Sequence, residues 1–182
     1  MSPSDSQHED AITLMRRHVR DVPDFPKPGI LFKDITPLLG DARAFGVAVA
    51  QLAERVRARG ADAVVGIESR GFIFGAPVAR ELGIGFIPLR KPGRLPYKKV
   101  VERYQLEYGE DAIEMHEDAV SGRSLVIVDD LLATGGTAGA AARLCERHGG
   151  RVLGCAFLIE LAFLGGRKRL GALPVDAIIE YA

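Results

Sequence analysis

Cysteine, net charge and long apolar runs are all scarce in this 182-residue sequence. Its two cysteines, Cys145 and Cys155, fit neither a disulfide framework nor a metal-binding spacing, and we interpret them as buried apolar residues in a reducing compartment. Lysine and arginine together number 24, as do aspartate and glutamate, so the formal net charge is zero. Because proteins that bind nucleic acid or membrane surfaces generally carry a basic excess, this balance argues against both classes.

Membrane insertion and secretion are also disfavoured. No apolar segment reaches the roughly 20 residues that a membrane-spanning helix needs. The N-terminus is polar and acidic, without the basic start and apolar stretch of a secretory signal. We therefore expect a cytoplasmic protein with a single domain over residues 1–182. Two nucleotide-binding patterns are missing as well, GxxxxGKS or GxxxxGKT and a GxGxxG that follows a strand.

The sequence does contain an alternation of short apolar runs with longer helical patterns. Strands that alternate with helices indicate right-handed βαβ units, and hence an α/β fold with a mostly parallel central sheet of about five strands flanked by helices. A capping box, Ser6-x-x-Glu9, predicts the start of the first helix. The predicted helices are 6–20, 41–59, 75–82 and the segment from Thr137 to Gly149-Gly150, and the predicted strands are 63–67, 84–89, 124–128, 152–159 and 177–180.

Two segments interrupt this alternation. Residues 23–37 hold four prolines, which exclude a regular helix, together with apolar side chains that need burial. Such a stiffened segment predicts a lid or a wall. Residues 90–122 are charged, with tyrosines interleaved among lysines and arginines, and predict an exposed hairpin or mobile flap.

The polar groups that follow the predicted strands are the candidates for a binding site, because open α/β sheets bind ligands beyond the carboxyl ends of their strands. Glu68-Ser69-Arg70-Gly71 follows the first predicted strand. Arg90 and Lys91 follow the second, and Asp129 and Asp130 follow the third. We expect these groups to converge on one crevice.

The segment that follows the third predicted strand, from Asp129 to Thr137, is the most informative of the three. Two carboxylates, Asp129 and Asp130, repel each other and need a cation or hydroxyl groups as partners. Gly135 and Gly136 let the backbone approach a ligand, and the following helix points its free N–H groups at a phosphate. This combination predicts a site for a ribose phosphate. A Gly-Gly turn between strand and helix is also common in α/β proteins, where an aspartate only caps the helix, so the turn alone leaves both interpretations open.

The stretch Val126-Ile-Val-Asp-Asp-Leu-Leu-Ala-Thr-Gly-Gly-Thr137 resembles the signature of type I phosphoribosyltransferases, which bind 5-phosphoribosyl-1-pyrophosphate (PRPP). Four further segments resemble the members of this family that act on adenine. The resemblance implies a type I phosphoribosyltransferase fold, with an N-terminal helix and hood over residues 1–37 and a flap hairpin over residues 90–122. It also implies transfer of the 5-phosphoribosyl group from PRPP to adenine, giving AMP and pyrophosphate in purine salvage. The four segments are Pro23–Pro37, Glu68–Gly75, Arg90–Pro96 and Tyr104–Gly109.

The same resemblance assigns the residues that contact PRPP. Asp129 and Asp130 face the ribose hydroxyls, and the loop at Ser69 and Arg70 contains a non-proline cis peptide bond. Cations surround the pyrophosphate, because a multiply anionic leaving group needs positive charge as it departs. The 5-phosphate is held by Ala133, Thr134, Gly135, Gly136 and Thr137, and the pyrophosphate by Ser69, Arg70, Arg90, Lys91 and Arg94.

The base and the proton transfer are assigned in the same way. Glu107, on the flap, meets N7 of adenine and exchanges a proton with it, since adenine must lose its N9 proton as N9 bonds to C1 of the ribose. Adenine lies against Phe32 and Leu161, with Leu31 and Arg70 beside it. Family members need Mg²⁺, which PRPP and water hold in large part, so no protein ligand is assigned to it. A homodimer is expected as well.

Three alternatives stay open at this point. The chain acts on another base, such as hypoxanthine, guanine or xanthine; it is a PRPP-sensing regulator that reuses the fold; or it is a sugar-phosphate hydrolase. A regulator needs a DNA-binding module or a basic patch, for which a chain of zero net charge leaves little room. A hydrolase is disfavoured because the sequence offers no dedicated nucleophile.

Overall fold

A computed structural model of the protein describes the backbone of residues 3–106 and 109–182, and the side chains of residues 10–105 and 109–182. Contacts divide the chain into two compact units, Met1–Gln51 and Leu52–Ala182. No helix within the described ranges has both the length and the hydropathy to cross a membrane.

The first unit contains the predicted N-terminal helix and a small hairpin. Helix α1 covers Pro3–Arg17, so the prediction of a helix from residue 6 to residue 20 was displaced by three residues at both ends. The capping-box side chains lie outside the described residues. Strand β1 (Arg20–Pro23) pairs antiparallel with β2 (Leu31–Asp34), and helix α2 (Thr36–Gly40) follows.

The proline-rich segment is therefore a hairpin, where the sequence predicted a stiff loop. Its turn is closed by Asp24, whose backbone has a φ of 58° and whose carboxylate accepts a hydrogen bond from the Gly29 amide at 2.7 Å. Ion pairs join the two strands, Arg20 with Asp34 and Lys33 with Asp21, each at 2.6 Å. The strand register places each of these charges opposite its partner.

The second unit is built on a five-stranded, all-parallel sheet. The sheet order is β4-β3-β7-β8-β9, and all five residues of β3 are buried, as expected for a strand covered on both faces. These strands confirm the predicted α/β fold. Their bounds are Ala63–Ile67 for β3, Gly85–Leu89 for β4, Ser124–Leu132 for β7, Arg151–Leu161 for β8 and Val175–Tyr181 for β9.

The predicted helix 41–59 is confirmed as α3 (Ala42–Arg59). Three further helices follow it along the described part of the chain. They are α4 (Arg70–Leu82), α5 (Gly136–Arg147) and the short α6 (Gly166–Leu170), which a 3-10 turn at Ala162–Leu164 precedes. The sequence did not predict α6, because its three consecutive basic residues lack an apolar helical pattern.

Two boundaries near the candidate site differ from the prediction. Helix α4 begins at Arg70, five residues before the predicted start at Gly75. Gly71, in the first turn of this helix, is a packing position, since a Cβ there would lie 2.9 Å from the Val128 carbonyl oxygen. Strand β7 continues four residues past its predicted end at Val128, because β8 pairs with it as far as Leu132.

The predicted flap region forms an antiparallel hairpin of β5 (Lys99–Leu106) and β6 (Gly109–His116). Its base is attached to α5 by Glu102, a buried carboxylate that accepts hydrogen bonds from Arg143 at 2.9 Å and Arg147 at 2.5 Å. The hairpin is inserted between β4 and β7, which flank β3 on opposite sides. The chain reverses its direction of strand addition here, and ligands of open α/β sheets bind at such a switch point.

Candidate active site

A cavity of about 280 Å³ opens at the switch point, where the ends of β3 and β7 meet the hairpin. Its lining is dominated by charged and hydroxyl groups, as a site for a polar, ionised ligand requires. The sequence predicted that groups following three strands would converge, and the cavity brings together Ser69, Arg70, Lys91, Asp129, Asp130 and Thr137. The lining also includes Glu68, which the sequence placed in the same group of candidates, and four residues that it did not assign: Ile67, Tyr104, Asp111 and Ile113.

Asp129 and Asp130 lie within β7 rather than after it, with the Asp130 amide donating to the Asp129 carboxylate at 2.9 Å. Arg70, at the start of α4, forms an ion pair with Asp130 at 3.1 Å. Burial, followed by the charge of Asp130, raises the pKa of Asp129 well above its usual 3.8. Burial also raises the pKa of Asp130, which Arg70 opposes. The pair is thus poorly solvated and suited to partners that donate hydrogen bonds, such as sugar hydroxyls.

The raised pKa values predict a pH-dependent stability of the ligand-free protein. Above pH 3.8 the folded state holds protons on this pair that the unfolded chain has released, so ionisation costs stability as pH rises toward the folded pKa values. We expect the melting temperature of Asp129→Asn, relative to wild type, to increase between pH 4 and pH 8. Parallel thermal melts of both proteins measure this difference, and a difference independent of pH would contradict the prediction.

The turn after β7 forms a second cavity of about 200 Å³, which shares Arg70, Asp129, Asp130 and Thr137 with the first. We call residues 133–137 the cradle. Gly135, with a φ of 77°, precedes α5, whose first turn has N–H groups without carbonyl partners in the helix. The cradle and the dipole of α5 therefore suit a phosphate group. All five residues predicted to hold the 5-phosphate line this cavity: Ala133, Thr134, Gly135, Gly136 and Thr137.

The backbone at the start of α6 packs directly against the backbone of the cradle. A Cβ on Gly135 would lie 2.6 Å from the Gly166 carbonyl oxygen, and one on Gly166 would lie 2.3 Å from that of Ala133. Arg169 reaches the same region and donates a hydrogen bond to the Gln105 carbonyl at 3.1 Å. The segment after β8 thus supports the cradle, a role that no sequence motif indicated.

The segment between β3 and α4 contains the expected non-proline cis peptide bond, which joins Glu68 to Ser69. Glu68 accepts two hydrogen bonds from the Arg90 guanidinium, both at 3.2 Å, and one from the Lys91 amide at 2.8 Å. The Arg90 hydrogen bonds, followed by the Lys91 amide, lower the pKa of Glu68. Arg90 is thereby held by a carboxylate, and the exposed Arg94 accepts a hydrogen bond from it through its main-chain carbonyl at 3.4 Å.

The hairpin places Asp111 and Tyr104 at the first cavity, where Asp111 forms an ion pair with Lys91. Tyr104 donates to the same carboxylate oxygen at 3.2 Å, and the side chain of Thr137 hydrogen-bonds to Tyr104. Burial opposes the shift, but the hydrogen bond from Lys91 lowers the pKa of Asp111. Their strand register makes Tyr104 and Asp111 direct cross-strand neighbours. Once the position of the hairpin turn is known, counting residues back along both strands places Tyr104 opposite Asp111, so the sequence itself can identify this pair.

The remaining predicted residues fall elsewhere. Glu107 lies outside the described residues. In the first unit, Phe32 packs edge-to-face with Phe25 at 5.1 Å between ring centroids, while Leu31 is 48% exposed. Phe25 and Phe32 line a small apolar pocket with Val22 and Asp34, whereas Leu31, the neighbour of Phe32 in β2, faces the other side of the strand. In the second unit, Leu161 ends β8 and is buried beside Tyr181 of β9.

Known proteins resemble this chain over most of its length. Residues 39–179 match the family described as Phosphoribosyl transferase domain. The chain belongs to the phosphoribosyltransferase family, and within it to the adenine phosphoribosyltransferases. It is 57% identical to the adenine phosphoribosyltransferase of Desulfitobacterium hafniense, over 91% of this chain and 96% of that protein.

Solved structures agree with this assignment. The adenine phosphoribosyltransferase of Thermoanaerobacter pseudethanolicus superposes with a TM-score of 0.91 and 49% identity, over 93% of this chain and 99% of that one. The Saccharomyces cerevisiae enzyme, solved with adenine and an imino-altritol bisphosphate, gives a TM-score of 0.86 and 36% identity over 93% and 99% of the two chains. The type I phosphoribosyltransferase fold predicted from the sequence is confirmed.

Proposed function

We propose that this protein transfers the 5-phosphoribosyl group of PRPP to adenine, producing AMP and pyrophosphate for purine salvage. The observation that carries the proposal is the pair of adjoining cavities, in which the phosphate cradle, the paired carboxylates and a cation-bearing pocket share one edge of the sheet. A phosphorylated ribose with a pyrophosphate at C1 spans such a site from one cavity to the other. The names of the relatives support adenine as the accepting base.

In this proposal each cavity takes one end of PRPP. The cradle binds the 5-phosphate through the amides at the start of α5, and Asp129 and Asp130 accept hydrogen bonds from the ribose hydroxyls. The first cavity takes the pyrophosphate, near Ser69, Arg70 and Lys91. As the C1–O bond to pyrophosphate breaks, the ribose gains oxocarbenium character, and nearby carboxylates favour positive charge on it. N9 of adenine, in the tautomer whose imidazole proton lies on N7, then bonds to C1 through its lone pair, and the N7 proton passes to a carboxylate of the protein.

Base binding and proton transfer are proposed for the residues that the resemblance assigns. Phe32 and Leu161 supply apolar surfaces for adenine, with backbone groups near Leu31 and the side chain of Arg70 as further contacts. Glu107 exchanges the proton at N7. Arg90 and Arg94 add positive charge beside the pyrophosphate. Arg90 and Lys91 both pair with carboxylates, but Lys91 lines the first cavity whereas Arg90 lies outside its lining, so we expect the contribution of Arg90 to be the smaller.

Mg²⁺ is proposed as the cofactor, carried by PRPP. The described residues contain no group of three or more His, Cys, Asp or Glu side chains arranged to hold a metal ion. Mg²⁺ retains water and takes phosphate oxygens readily, so a site with few protein ligands fits a substrate-bound ion. When bound, the ion neutralises part of the pyrophosphate charge. Asp129 and Asp130 would act on the ion only indirectly, by holding the ribose hydroxyls of the substrate that carries it.

The assembly and location of the protein are proposed from the same reasoning. We propose a homodimer in the cytoplasm, with residues 1–182 forming one domain. The two cysteines are free and buried, as in a protein of a reducing compartment. Sedimentation equilibrium at micromolar concentration measures the assembly, and a mass near the 19.6 kDa of one chain would contradict the dimer.

Product analysis tests the proposed function. The protein is incubated with PRPP, Mg²⁺ and each of adenine, hypoxanthine, guanine and xanthine, and nucleotides and pyrophosphate are quantified. We expect AMP and pyrophosphate in equal amounts, with adenine strongly preferred. A preference for a 6-oxopurine would overturn the choice of base, and weak DNA binding without turnover would favour a PRPP-sensing regulator.

An Asp130→Asn variant tests the ribose assignment. The substitution removes the charge that pairs with Arg70 at 3.1 Å and weakens the acceptor for the ribose hydroxyls. We expect the KM for PRPP to rise about tenfold, within the cost of losing one charge-assisted hydrogen bond, with little change for adenine. Steady-state kinetics with each substrate varied in turn make the comparison. An unchanged PRPP constant would remove the ribose assignment.

A further inference from the structure

The ion pair between Lys91 and Asp111 occupies the cavity that the proposed function gives to pyrophosphate. Further hydrogen bonds fix the position of the Asp111 carboxylate that pairs with Lys91. Tyr104 donates a hydrogen bond to the Asp111 carboxylate at 3.2 Å, and the Ala112 amide donates another at 2.8 Å. Tyr104 is 5% exposed and is hydrogen-bonded to the side chain of Thr137 in the cradle. Two hydrogen bonds, from Tyr104 and from the Ala112 amide, therefore hold the acceptor for Lys91 in place.

The charges around this cavity do not by themselves favour a polyanion. Four carboxylates line it, from Glu68, Asp111, Asp129 and Asp130, against two cations, Arg70 and Lys91. Each cation already has a carboxylate partner, Asp130 for Arg70 and Asp111 for Lys91. A pyrophosphate that enters has to compete for both cations with the carboxylates of the protein.

The two pairs differ in how readily they exchange partners. The Asp130 side chain is 5% exposed, so separating it from Arg70 leaves a buried carboxylate without its cationic partner. The Asp111 and Lys91 side chains are 25% and 46% exposed. When this pair separates, water therefore replaces part of the electrostatic stabilisation that each side chain loses. Lys91 is consequently the cation that changes partner at the lower cost when an anion arrives.

We propose that Asp111 is a competing counter-ion for Lys91, which weakens the binding of pyrophosphate and hastens its release. The inference rests on the proposed function, because it takes pyrophosphate as the anion in this cavity. In the ligand-free state Lys91 pairs with Asp111. In the complex Lys91 binds pyrophosphate, while the Asp111 carboxylate keeps its hydrogen bond from Tyr104 and is otherwise solvated by water. Asp111 acts through Lys91 and is a positioning residue, whereas Lys91 contacts the leaving group.

A calorimetric titration with pyrophosphate and Mg²⁺ tests this competition. Since exposed ion pairs contribute about 0.2–1 kcal/mol, we expect Asp111→Asn to bind pyrophosphate about 1.5- to 5-fold more tightly than wild type. Glu110→Gln is the matched control. It removes the same charge from the adjacent, exposed position of β6, whose side chain points to the other face of the strand, and should leave the affinity unchanged.

A Lys91→Met background separates competition from simple charge repulsion. Without Lys91 there is no cation to compete for, so adding Asp111→Asn should change pyrophosphate affinity much less than it does in the presence of Lys91. Asp111→Glu keeps the carboxylate and should restore an affinity close to that of wild type. In steady state, Asp111→Asn should lower the inhibition constant of the pyrophosphate product and lower kcat, without raising the KM for PRPP.

Three results would overturn the inference. These are weaker or unchanged pyrophosphate binding by Asp111→Asn at an unchanged melting temperature, equal tightening in the Lys91→Met background, and equal tightening by Glu110→Gln. If Asp111→Asn melts at a lower temperature, Asp111→Glu and the Lys91→Met pair still decide the question. Failure of the wild-type protein to bind pyrophosphate would instead contradict the proposed function, so the two failures are distinguishable.

Discussion

A Gly135→Ala substitution is expected to reduce the affinity for PRPP by about tenfold or more while leaving the fold intact. Gly135 has a φ of 77°, a conformation that costs an alanine about 1–2 kcal/mol. Its Cβ would also lie 2.6 Å from the carbonyl oxygen of Gly166, which is backbone and has little freedom to move. The cradle has to open to accept the methyl group, and each 1.4 kcal/mol lost from phosphate binding is tenfold in affinity.

The same helix provides a matched control for this substitution. At Gly139 of α5 a Cβ would be in ordinary contact, 3.5 Å from the Arg143 guanidinium, with helical backbone. Gly139→Ala should therefore bind PRPP as wild type does and melt slightly higher, since alanine favours a helix interior. Calorimetric titration of PRPP into both variants makes the comparison. Equal PRPP affinities in Gly135→Ala and Gly139→Ala would show that the cradle does not hold the 5-phosphate.

A Glu107→Gln substitution is expected to lower kcat by about 100-fold or more, because general acid–base catalysis generally contributes that much. The amide keeps the size and hydrogen-bonding ability of the carboxyl group but does not exchange a proton with N7 of adenine. PRPP affinity should stay near the wild-type value, since other residues are proposed to bind PRPP. Initial rates at saturating PRPP and adenine between pH 5 and pH 9 measure the effect.

Glu110→Gln is the companion variant for this experiment. It makes the same chemical change on the same hairpin, at an exposed position with no assigned role. We expect its kcat and pH profile to match those of wild type. A near-normal rate for Glu107→Gln across the pH range would exclude the acid–base role, and an equal loss in both variants would indicate a general effect on the hairpin.

The sheet and the cradle are predictable from sequence because their signals are local. Strand β3 has the predicted bounds, as its five apolar residues are buried on both faces and need no distant partner to be recognised. The turn at Gly135 and Gly136 is specified by glycine chemistry within a few residues. The resemblance to phosphoribosyltransferases then identified the family, which a pattern of apolar runs alone does not distinguish from other α/β enzymes.

The features that escaped prediction depend on contacts between distant parts of the chain. Asp129 and Asp130 were expected after their strand, but β8 extends β7 to Leu132, and that pairing is not visible in residues 124–132. The close approach of Gly166 to Gly135 joins segments about thirty residues apart. Likewise, Asp111 and Tyr104 become neighbours of Lys91 only when the hairpin folds over the sheet edge.

The two buried cysteines have a practical consequence for following the hairpin experimentally. Burial raises the pKa of both Cys145 and Cys155 to about 12, and thiol reagents attack the thiolate of an accessible cysteine. We therefore expect the two native cysteines to react little with thiol-directed labels at neutral pH. A single cysteine introduced as Glu110→Cys would accept a fluorophore or spin label selectively, so that spectroscopy reports the hairpin alone, without prior removal of native cysteines.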